Sequence, residues 1–214
     1  MQYSLTLILA SLTVATGGCN LAAFAGYMLI PGPPKKTIKP EFAGLEKQHV
    51  AVAVYAGPET ELDFQTIRLE ISDAVAAELQ KRIKGTTLVD ARRVIRYQDE
   101  NPGWNAKSPE RLCTIFDCDY LLLVSLIEFS THEMGSLRLV RGRLKAEARL
   151  YRSLASGEGG LAWRAKELFS VVHPPETPVG VLAQNDWDIR IQTEKLFAEA
   201  LVKKFYKHKV PIEP

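Results

Sequence analysis

The chain has 214 residues, 46% of them hydrophobic and 24% charged, a balance ordinary for a folded protein. With the N-terminal segment set aside, about 170 residues remain, enough for one hydrophobic core. A formal net charge of +2 is too small a surplus for a nucleic-acid footprint, which needs a concentrated basic face, so DNA and RNA are set aside as partners.

Residues 1–34 carry no charged side chain, and residues 5–15 form an apolar stretch of the length expected for the core of a secretory signal. Thr16-Gly17-Gly18-Cys19 follows, small residues directly before a cysteine. This resembles the lipobox of bacterial lipoproteins, in which the cysteine is acylated and everything before it removed. The resemblance implies a signal peptide at 1–18, a lipid-anchored tether at 19–45 and one domain at 46–214. Pro31, Gly32, Pro33 and Pro34 suit an extended tether leaving such an anchor. Two acyl chains on Cys19 would hold the chain firmly, where one gives only marginal binding. A competing reading counts residues 4–30 as 27 uncharged positions, more than the roughly 20 needed to span a bilayer. Lys35 and Lys36 beyond them would then leave the domain in the cytoplasm.

Residues 49–56, HVAVAVYA, are apolar and rich in β-branched side chains, bounded by charge and by Gly57-Pro58, and read as a buried strand. Over 65–84 the residues Ile67, Ile71, Ala74, Val75, Leu79 and Ile83 recur at three and four, the stripe of an amphipathic helix that stops at Gly85. Residues 86–89 are a short strand. Asp90 can cap a helix carrying Val94, Ile95 and Tyr97, which Asn101-Pro102-Gly103 ends. Ser108-Pro109-Glu110 starts another short helix with Leu112, Ile115 and Phe116. Residues 119–127 are the most apolar run and read as the central strand.

The period then changes. Arg141, Arg143, Lys145, Glu147, Arg149 and Tyr151 alternate with Gly142, Leu144, Ala146, Ala148 and Leu150, as in a strand wet on one face. A turn at 156–160 leads into 161–172 as the antiparallel partner. Ile189, Leu196, Phe197, Ala200, Leu201 and Phe205 mark a C-terminal amphipathic helix, with Lys203, Lys204 and Lys207 at the end that favours cations. The expected architecture is an α/β sandwich: a mixed sheet of about five strands with three to four helices, a strand-helix-strand start and an antiparallel C-terminal hairpin.

This order, the small-residue and Asp-Tyr lead of Cys118-Asp119-Tyr120 into the central strand, and the Ser156-Gly157-Glu158 turn followed by Trp163 together resemble envelope proteins with the TolB N-terminal α/β fold. Those include the curli-secretion lipoproteins and the lipoprotein activators of penicillin-binding proteins. The resemblance covers about residues 46–208. It implies a lipid-anchored, periplasm-facing protein, at the outer membrane rather than the inner, that binds another envelope protein and is compatible with a homo-oligomer. The long membrane-inserting hairpins of the curli pore have no counterpart here.

Catalytic motifs are missing. His49, His132, His173 and His208 are scattered without ligand spacing, and neither a Gly-x-Ser-x-Gly elbow nor a phosphate-cradling Gly-x-x-x-x-Gly-Lys loop occurs. No metal or cofactor is expected. Glu128, His132 and His173 are the acid-base candidates if a site is assembled from loops. Arg141, Arg143, Lys145 and Arg149 form a basic stripe suited to anionic lipid or peptidoglycan, or simply a solvated face. Trp187 ends a proline-stiffened loop suited to a protein contact. Cys113 and Cys118 are either two small buried side chains or a bridged pair, the latter only if the helix ends between them. The function expected is therefore that of a non-catalytic envelope adaptor, assembly factor or regulator, against the alternatives of a membrane-anchored enzyme and an uncleaved protein with a cytoplasmic domain.

Overall fold

The structure is a computed structural model that describes residues 35–211 except 134, 137, 157–158, 176–180 and 183–185. Cys19, the signal segment, most of the proline-rich tether, Gly157, Glu158 and part of the 173–187 loop thus lie outside the described residues. Residues 39–208 form one compact unit. In the second unit, β1 (Lys35–Ile38) pairs with β9 (His208–Pro211) as a two-stranded sheet.

The main sheet is mixed, as the sequence implies. β2 (His49–Tyr55) runs parallel to β3 (Thr87–Leu88) on one side and to β4 (Tyr120–His132) on the other. β4 pairs antiparallel with β5 (Leu139–Arg152), and β5 pairs antiparallel in turn with β6 (Gly160–Arg164), β7 (Phe169–His173) and β8 (Val181–Leu182). Five α-helices are described: α1 (Pro58–Asp63), α2 (Ile67–Arg82), α3 (Ala91–Glu100), α4 (Pro109–Phe116) and α5 (Asp186–Val202). The short α1 goes beyond the three to four expected, because Pro at its first turn starts a helix that buries no residue and so leaves no periodic stripe.

Two cores flank the sheet. On one face, Val50, Val52, Val54, Leu122, Val124, Leu144, Ala146 and Leu150 pack with Ile67, Ile71, Val75 and Leu79 of α2 and with Phe197 and Leu201 of α5. On the other, Ala51, Ala53 and Leu121 meet Val94 of α3 and Leu112, Cys113 and Phe116 of α4. β2 is therefore apolar at every buried position, whereas β5 alternates. Each large aliphatic in these layers contributes about 1.5–3 kcal/mol when buried.

The expected caps form. Asp90 accepts a bond from the Arg92 amide at 2.9 Å, and Ser108 from Arg111 at 3.4 Å. Because β3 is only two residues long, the outer edge of β2 beyond Val50 has no strand beside it. Side chains satisfy it instead: the Ser72 hydroxyl donates to the Val52 carbonyl at 3.4 Å and the Gln98 amide to Val54 at 3.1 Å.

The partner of β5 is not one strand over 161–172. β6 and β7 both pair with β5, but residues 165–168 loop out between them. The register explains it. With Trp163 opposite Leu150 on the core side, an unbroken strand would place Glu167 opposite buried Ala146. Looping out keeps that carboxylate in water and still delivers Phe169 opposite Ala146.

Candidate functional site

On their face of the sheet, α3 packs on β2, and α4 on the start of β4 and on β5. The rest of that face, made by the later part of β4 with the neighbouring part of β5 and with β7, carries no helix there among the described residues. Residues of β5 that alternate with the core set, Arg143, Lys145, Glu147, Arg149 and Tyr151, point to this open face. Ile127 is the extra residue at a register shift between Leu126 and Glu128 and stands 54% exposed. Leu161, opposite Tyr151, and Val172, opposite Arg143, are exposed beside it.

Four cations of this face are paired. Lys145 Nζ lies 2.6 Å from Glu128 Oε2 across the strands, and Arg149 lies 2.7 Å from Glu147 along its own strand. Arg141 and Arg143 both reach Glu133, the former at 2.8 Å. Arg141 is buried, unlike the rest of the stripe, so the alternation read from sequence gives way at the β4–β5 turn. Three glutamates thus answer four of the cations, while Arg164, exposed opposite Arg149 on β6, makes no ion pair among the described residues, so the face stays modestly basic with apolar side chains between the pairs. Exposed pairs of this kind contribute only about 0–1 kcal/mol each, so they shape the surface more than they stabilise it. Sequence reasoning missed the pairing because Glu128 sits on β4 and Glu133 just past its end; the signal was their place on a run that must lie beside β5.

Trp187 is not part of this surface. It opens α5, the helix on the opposite layer, and is half exposed. The Arg190 guanidinium lies over its ring at 5.7 Å and over Phe64 at 5.3 Å. Two hollows border the 165–168 loop. One, about 560 Å³, is lined by Glu147, Arg164 and Lys166 to Leu168; the other, about 370 Å³, adds Glu41, Ser170 and Lys204. Glu41 accepts from Lys204 at 2.7 Å and from the Trp163 indole N–H at 3.0 Å, and the Lys204 bond holds its carboxyl below the usual range.

The acid-base candidates do not converge. Glu128 is bound to Lys145, His132 faces Asp186 at 4.0 Å, and among the described residues no hydrogen bond joins any two of Glu128, His132 and His173. Among the described residues no group of three metal-ligating side chains is placed to hold an ion, and no helix is long and apolar enough to cross a membrane.

No protein-family model matches this chain, and no curated protein matches it. Similar solved structures include the lipoprotein GNA1162 from Neisseria meningitidis, at 19% identity and a TM-score of 0.46 over 72% of this chain and 97% of that one. A PelC dodecamer from Paraburkholderia phytofirmans matches at 7% identity and a TM-score of 0.47, over 81% of this chain and 98% of that one. The hypothetical protein CT253 from Chlamydia trachomatis matches at 18% identity and a TM-score of 0.37, over 58% of this chain and 71% of that one.

Proposed function

We propose that this protein is a non-catalytic module of a bacterial cell envelope, held at the membrane through acylated Cys19 and acting through contact with another protein. The observation that carries this reading is the open half of the sheet, on which exposed Ile127, Leu161 and Val172 stand beside charges that are mostly paired. A surface most of whose cations already hold glutamates has less left for anionic lipid or peptidoglycan, while exposed apolar groups between polar ones suit a protein contact. Thr16-Gly17-Gly18-Cys19 supports the anchor, and the Pro/Gly run after it supports a tether. The domain then faces the periplasm, the outer membrane being the favoured site, and needs no cofactor.

The test has two parts. Cells expressing the full chain with an alkyne-bearing fatty acid should label it, and Cys19→Ala should remove the label and release the protein from membranes. Ile127→Arg should keep the protein at the membrane but reduce the native size of its complex. An unlabelled wild-type chain removes the anchor; an Ile127→Arg complex of unchanged size removes the open face as the contact.

A further inference from the structure

The helix that carries Cys113 ends before Cys118, and it ends by turning the two cysteines toward each other. α4 stops at Phe116, and Asp117 takes a left-handed conformation at φ 56°. The amide of Cys118 then donates to the carbonyl of Cys113 at 3.1 Å, the closing bond of a Schellman-type helix end. That bond holds the two backbones at the short separation a disulfide needs, and it replaces the helical geometry that would have put the sulfurs on different faces. Both side chains belong to the same small core, with Ala51, Phe116 and Leu121, and both are present as buried free thiols.

We propose that Cys113 and Cys118 form a disulfide bond when the chain folds in an oxidising compartment, locking the corner between α4 and β4. The oxidant is a disulfide, either a small thiol disulfide or that of an oxidoreductase. The Cys113 thiolate attacks one oxidant sulfur, releasing the first thiolate and leaving a mixed disulfide. Cys118, deprotonated, attacks the Cys113 sulfur and displaces the second. Two cysteine thiols lose two protons and two electrons, and the oxidant's S–S bond becomes two thiols. In the partly folded chain the roles of the two cysteines are interchangeable. Both sulfurs are enclosed in the finished fold, so the exchange takes place in the partly folded chain and the completed bridge is shielded from reductant. The corner it locks is well connected: Asp119 receives the His49 amide at 2.8 Å and its own amide returns to the His49 carbonyl at 2.8 Å, tying the start of β4 to β2.

The sequence offers a clean readout. No lysine or arginine occurs between Arg111 and Arg138, so one tryptic peptide, 112–138, holds both cysteines and excludes Cys19. The full chain, purified in detergent, is unfolded with reductant and refolded with reduced and oxidised glutathione, then unfolded again with a thiol-blocking reagent and digested. The expected result is a peptide about 2 Da lighter than its dithiol form, carrying no blocking group, which gains two on prior reduction. Peptide 112–138 recovered with two blocking groups from the unreduced, refolded protein would overturn the proposal, as would a stable glutathione adduct on either cysteine in place of the bridge.

Discussion

Gly142 on β5 lies directly against Thr193 on α5: a Cβ at the strand position would stand 2.9 Å from Thr193 Cβ, closer still to its hydroxyl oxygen, and 3.2 Å from Ile189. Thr193 is fully buried, and its hydroxyl donates to the Ile189 carbonyl at 2.7 Å, so it has nowhere to turn. The missing side chain lets the helix sit on the sheet. Gly142→Ala should destabilise the fold by about 1–3 kcal/mol through overpacking, read as a lower urea midpoint. Adding Thr193→Ala should restore part of the loss, giving a favourable coupling in the double-mutant cycle. Strict additivity would place the strain elsewhere.

Beside that contact, buried Glu194 of α5 and partly buried Glu70 of α2 both meet Arg190, with the exposed Thr66 at the rim. Burial, then the bond to Glu70, push Glu194 up to about 8, with Arg190 opposing. A carboxyl raised in the folded state binds its proton more tightly there than in the unfolded chain. Its contribution is therefore complete below the unfolded value near 4.5 and is lost as pH rises through about 8. Glu194→Gln, which keeps a donor toward Glu70 at every pH, should match the parent at pH ~5 and exceed it by about 1–3 kcal/mol at pH ~9. Urea midpoints across that range decide it; parallel curves for the two proteins would contradict the assignment.

Gln98 closes the strandless edge of β2 by donating to the Val54 carbonyl at 3.1 Å, while its own oxygen accepts from Arg68 at 3.3 Å. It is 3% exposed. Gln98→Ala should cost about 1–3 kcal/mol because it strands a buried carbonyl. Arg96→Ala, an exposed change on the same helix, should stay within about 0.5 kcal/mol. Equal effects in thermal melts would mean that the edge is satisfied another way.

Much of this architecture is legible in the amino-acid order because periodicity and burial agree: the 67–83 stripe, the caps at Asp90 and Ser108, and the alternation in β5 each state their own environment. What stays hidden depends on partners far along the chain. Glu167 reads as an ordinary strand residue until Ala146 is known to lie opposite, and the Arg141, Arg143, Lys145 and Arg149 stripe reads as basic until Glu128 and Glu133 come beside it. Trp187 and that stripe both read as contact candidates in sequence, and α5 and the open face lie on opposite sides of the sheet.

The central claim is that the open half of the sheet meets a protein while the chain is held at a membrane. The most direct measurement places a photo-crosslinking residue at Ile127, exposed on that face, or at Lys195, exposed on α5 in the other layer, and irradiates intact membranes. The account predicts a single adduct of defined mass from position 127, whether with a different envelope protein or a second copy of this chain, and none from position 195. No adduct from position 127, or equal adducts from both positions, would contradict it.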